Sequence, residues 1–136
     1  SPDMVVSTKK YVDDEIAKVG DNFIRLAYAA GGSSSVDIGD LKDVPNKEYY
    51  IKSVTIKITS AFVGCDEITV SDGTNTFVTT TDVDMSETGL YIIEQGYEVA
   101  SQKGATINAT FSNNGVSASP TVGNAIISVE YKMINV

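Results

Sequence analysis

The chain has 136 residues, 42% of them apolar and 21% charged, with a formal charge of −8, one cysteine and no histidine. Such a length fits one domain, and the scattered ten Lys and Arg do not make the basic patch that phosphate binding needs. No apolar run approaches the ~20 residues of a membrane helix, so neither nucleic acid nor membrane insertion is expected.

The absence of histidine removes His-based triads, His-ligated zinc and the usual general base, so no enzyme activity, metal or cofactor is expected. A glycosidase-like carboxylate pair is formally open among 18 Asp and Glu, but no motif singles one out. The single cysteine, Cys65, excludes an intramolecular disulfide framework and reads as a small buried apolar residue. The polar first twenty residues show no secretory signal.

Residues 1–4 (SPDM) read as a candidate cloning remnant, and residues 5–22 as a short helix. Val5, Val12, Ile16 and Val19 recur at heptad spacing, with lysines and carboxylates on the other faces. Gly20, followed by Asp21 and Asn22, reads as a C-terminal cap and turn. A helix of roughly twelve residues is marginal alone, whereas three copies side by side bury the four apolar residues as a coiled-coil neck. The competing reading folds the same stripe back onto the chain's own core.

From Phe23 the periodicity becomes two-residue, which makes 23–136 a β-domain. "FIRLAYAA" (23–30) alternates and ends in "GGSSS" (31–35), a flexible loop. In "YYIKSVTIKITSAF" (49–62) Val54, Ile56 and Ile58 alternate with Thr55, Lys57 and Thr59, as in a sheet with one buried face. The stretch 66–80 carries Ile68 and Val70 before Asp72-Gly73-Thr74-Asn75, a hairpin signature. "LYIIE" (90–94) and "ATINATFS" (105–112) give two more strands, followed by the turn Asn113-Asn114-Gly115. In "NAIISVEYKMI" (124–134), Ala125, Ile127, Val129, Tyr131 and Met133 are expected to be buried on one face, with Ser128, Glu130 and Lys132 on the other. The pattern predicts an antiparallel β-sandwich or jelly roll of seven or eight strands, with Val54, Ile56, Ile58, Ile107, Phe111, Ile127 and Val129 in one core.

Candidate chemistry is sparse. Asp82, Asp84 and Ser86 alternate as in calcium loops, but Glu87 stands where an EF-hand requires glycine, so this reads as a solvent-facing acidic loop. Asn108-Ala109-Thr110 matches a glycosylation sequon inside a predicted strand and carries no weight. Tyr49, Tyr50, Tyr91 and Tyr97 are candidate ligand or interface aromatics, with core or subunit packing as the alternative.

"STKKYVDDEIAK" (7–18) resembles the short helical segments that precede or join domains in tailed-bacteriophage fibre proteins. Residues 51–99 and "GNAIISVEY" (123–131) resemble small β-sandwich domains of phage virion proteins. The likeness lies in a strand ending in "AF", an "ITV" strand, "VDM" followed by Gly89 and Tyr91, and the closing "ISVEY". It implies a virion-located structural protein, a homotrimeric tail-fibre or head-fibre domain that contacts other virion proteins and a host surface glycan. A capsid decoration protein and a monomeric carbohydrate-binding module are the alternatives.

Overall fold

The computed structural model describes residues 22–136. The expected helix and its seam residues Val5, Val12, Ile16 and Val19, like residues 1–4, lie outside the described residues.

The described residues form nine strands: β1 (Phe23–Ala29), β2 (Ser35–Asp40), β3 (Lys47–Val63), β4 (Glu67–Ser71), β5 (Thr76–Val78), β6 (Gly89–Ser101), β7 (Thr106–Asn113), β8 (Val116–Ser117) and β9 (Val122–Asn135). They make two antiparallel sheets. Sheet A has the order β1-β9-β3-β6; sheet B has the order β2-β7-β4-β5, with the two-residue β8 beside β7. Strands adjacent in sequence mostly lie in opposite sheets, so apart from β4–β5 and β7–β8 the neighbours in the sheets are distant along the chain.

The seven residues expected to share a core do so, each at most 2% exposed. Alternation on one buried face explains it: β3 contributes Val54, Ile56 and Ile58, β9 contributes Ala125, Ile127 and Val129, and β7 contributes Ile107, Ala109 and Phe111 from the facing sheet. Cys65 is buried, as expected. The predicted hairpin is β4 and β5, closed by Asp72 N–H donating to the Asn75 carbonyl at 3.1 Å with Gly73 at φ +93°.

Four features depart from the sequence reading. Met133, expected on the buried face of the last strand, is 37% exposed near the end of β9. The segment after the glycine and serine loop is strand β2, in which Val36 is half-buried and Ile38 buried. Gly39 lets it run close to β1, since a Cβ there would lie 3.2 Å from Ile24 Cβ. Strand β6 does not stop at Glu94 but continues to Ser101 past a protrusion, where Gly96 and Tyr97 have φ +68° and +62°. Opposite it, β3 has an irregularity between Ile51 and Ser53: Ile51 pairs with Tyr131 and Ser53 with Glu130, so Lys52 is an extra residue on β3. That bulge lets odd residues Tyr49 and Ile51 share the inner face with even residues Val54, Ile56 and Ile58.

At one end of the core the rings of Tyr28, Phe62 and Phe111 stack, with Tyr28 and Phe111 centroids 4.9 Å apart. Phe62 lies directly on Gly123, whose added Cβ would sit 2.5 Å from the ring, at a φ of +139° that side chains rarely adopt. Two stability changes follow. Ile56→Ala should cost about 2–5 kcal/mol, read as a shift of the denaturant midpoint at unchanged slope. Gly123→Ala should cost at least about 2 kcal/mol through overpacking and backbone strain, whereas alanine at Gly73, open to solvent on its turn, should meet only the backbone penalty.

Candidate functional site

The four candidate tyrosines do not converge. Tyr49 is 2% exposed, meets Tyr131 edge-on at 5.2 Å, and donates its hydroxyl to the Lys42 carbonyl at 2.7 Å. It is a core residue with a satisfied polar tip. Tyr50, on the opposite face of β3, donates to Glu48 Oε2 at 2.7 Å, and that bond followed by the carboxylate's charge raises its pKa. Tyr91 is half-buried against the core opposite Ile56, so along β3 it stands about 20 Å from Tyr49. Tyr97 is the exposed one, at 38%, on the protrusion of β6, with Lys52 Nζ 5.9 Å from its ring centroid. Lys52 also lies 3.7 Å from Glu130, whose Oε2 accepts from Ser53 at 3.4 Å. Bulge and protrusion therefore bring together an aromatic, a cation and a carboxylate that are far apart in sequence.

The acidic loop turns its odd apolar residues inward and its acids outward. Val83 and Met85 are buried, and Phe62 N–H donates to the Met85 carbonyl at 2.8 Å. Asp82 accepts from the Thr79 N–H at 2.8 Å, and Asp84 accepts from the Ser86 hydroxyl at 2.6 Å and its N–H at 3.0 Å. The Ser86 hydroxyl, then its N–H, lower the Asp84 pKa. These oxygens already hold their own turns. No group of three or more metal-ligating side chains occurs among the described residues. Millimolar calcium should leave the melting temperature within about a degree, whereas a specific ion at a hundred times its dissociation constant would add about 2.7 kcal/mol.

An open groove of about 680 Å³ lies where the β4–β5 turn meets the end of β6 and the start of β3, lined among others by Asn46, Glu48, Asp72, Asn75, Ser101 and Lys103. Asp72 is its hub. One oxygen accepts from the N–H groups of Thr74 and Asn75 at 2.8 and 2.6 Å; the other accepts from the Ser101 hydroxyl at 2.5 Å and Asn75 Nδ2 at 3.3 Å. Asn75 Nδ2 also donates to the Ala100 carbonyl at 3.0 Å. The turn thereby ties sheet B to sheet A. Burial pushes the Asp72 carboxyl upward, but the hydrogen bonds from Asn75, Ser101 and Thr74 together outweigh it, and its pKa is lowered.

All four Asp72 hydrogen-bonding positions are committed, so this part of the groove wall is structural. Cys65 is equally unreactive by position: burial, with a smaller push from Asp66, raises its thiol to about 11. The sequon asparagine Asn108 sits half-buried in the middle of β7. The tyrosine pattern in sequence did not distinguish Tyr49 from Tyr50, and only the Lys52 bulge does so. The Asp72 hub carried a signal, its hairpin motif, but its link to Ser101 crosses 29 residues and had none.

No protein-family model and no curated protein matches the chain. A solved structure described as "Cyanophage Pam1 capsid asymmetric unit" is similar at a TM-score of 0.48 and 14% identity, covering 80% of each chain.

Asp72→Asn should destabilise the domain by about 1–2 kcal/mol at neutral pH, because four donors lose a charged acceptor. The sign with pH follows from the lowered pKa. The stabilisation is present above the ordinary aspartate pKa and is lost as the pH falls through the folded value. Melting temperatures of wild type and variant should therefore differ at pH 7 and converge in strong acid.

Proposed function

We propose that the chain is a bacteriophage virion structural protein, a trimeric tail-fibre or head-fibre domain that carries out no catalysis and contacts the host surface. The observation that carries this reading is the strand order, β1-β9-β3-β6 over β2-β7-β4-β5. It is that of a jelly roll, an arrangement that viral capsid and lectin domains share. A fold alone does not define a function, so the reading also leans on the sequence likeness of residues 7–18, 51–99 and 123–131 to phage fibre and virion domains. The polar groups support it too: Asp72, Asp82, Asp84 and Glu67 are each engaged in holding turns or strands.

In this reading three seams of Val5, Val12, Ile16 and Val19 form the neck, and three identical sandwiches on one stem convert weak glycan contacts into avidity. Antibodies against the domain, imaged on purified particles by negative stain, test it. Label on tail or head projections is the expected result; label over the capsid shell would favour the decoration reading, and unlabelled particles would refute the virion reading.

A further inference from the structure

The fold requires the protrusion of β6 but not the residue that stands on it. Gly96 and Tyr97 are two successive left-handed residues, at φ +68° and +62°. Such a turn is taken freely by glycine or asparagine and at a cost by a bulky side chain. Glycine fills the first position, but the second holds a tyrosine that is 38% exposed. Backbone strain kept at a residue that the core does not use points to a functional position.

The register places its neighbours. Because Tyr49 and Ile51 face the core, Glu48, Tyr50 and Lys52 share the outer face of β3, at intervals of about 6.6 Å. Lys52 lies over the Tyr97 ring, and Tyr50 stands between Ala100 of β6 and Lys132 of β9. Tyr50 donates to Glu48, which together with Ala100 lines the Asp72 groove. One continuous track therefore runs from Tyr97 through Lys52 and Tyr50 to Glu48 and the groove, about 13 Å of it along β3. Its groove end is preformed. Asp72 is fully bonded, whereas the side chains of Asn46 and Gln102 on the same lining hold no hydrogen bond among the described residues.

We infer that this track is a binding site for a neutral oligosaccharide, with Tyr97 at one end and the Gln102 side of the groove at the other. The inference rests on the host-surface reading above and assigns residues to it. The rings of Tyr97 and Tyr50 suit the C–H faces of sugar rings, and the amides, carboxylate and ammonium groups beside them donate to and accept from sugar hydroxyls. Charge along the track balances, Lys52 and Lys132 against Glu48 and Glu130, which suits a neutral sugar better than a polyanion. An extended peptide fits less well, because the protrusion interrupts the strand edge to which it would add.

An array of neutral and acidic oligosaccharides probed with the full chain tests this, followed by calorimetric titration of the best-bound glycan. A neutral oligosaccharide is the expected hit. Tyr97→Gly and Gln102→Ala, at the two ends of the track, should each weaken its binding at least fivefold. Tyr97→Gly should also melt at or above the wild-type temperature, because glycine relieves the turn. Ile92→Ser, on the other half of the same face, should leave binding unchanged. A Tyr97→Gly chain that melts well below wild type assigns the tyrosine to the fold and overturns the inference. Glycan binding that either end variant leaves intact, or that is confined to acidic sugars, also overturns it while the host-surface reading stands. A chain that binds no glycan on the array overturns both.

Discussion

The extra residue at Lys52 is the constraint on which the rest of the sandwich depends. In a strand every one-residue shift exchanges the two faces, so a regular β3 with Val54, Ile56 and Ile58 inward would turn Tyr49 and Ile51 out. The bulge cancels that exchange midway along a 17-residue strand. One long strand thereby serves the core along most of its length, and β9, which runs beside it without an irregularity at the opposite Glu130 and Tyr131, can keep Ala125, Ile127 and Val129 on a single parity. The cost is local. On the other side β6 must loop out between Glu94 and Val99, with Gly96 and Tyr97 in left-handed conformations that a regular strand would not need.

That same mismatch places Tyr97 on the surface beneath Lys52, and it interrupts the free edge of sheet A. A long edge strand is a template for unwanted strand addition, and a protrusion with charged neighbours blunts it. The exposed aliphatics Leu90 and Ile92 lie on the regular half of β6, before the protrusion, with their side chains on the sheet's face.

The sequence was most legible where one face is fully buried and polar residues intervene strictly, as in residues 54–59. It was less legible where tertiary geometry alters the period. Strand β2 has only Ile38 buried and a glycine next to its last residue, so it carries little alternation to read. The length of β6 was hidden by Gly96, which looks like a terminator and is instead part of the protrusion. Tyr49 and Tyr50 are adjacent and chemically identical, and the parity of Val54 assigns the inner face to Tyr50; the bulge assigns it to Tyr49. The Asp72 hub shows the same limit in another form, since a hairpin motif predicts its backbone acceptance but not its bond to Ser101 on a different sheet.

The position of β9 in the strand order has a consequence for synthesis. β1 and β3 do not touch through hydrogen bonds; each pairs with β9, which fills the gap between them. A chain emerging from the ribosome therefore carries β3, with its row of isoleucines, unpaired on that side until more than a hundred residues have been made. Contacts of such sequence separation form slowly because loop closure precedes any gain. The nascent domain stays open until its last strand arrives, and a ribosome stalled before Val122 would hold an aggregation-prone half-sheet that holdase chaperones recognise.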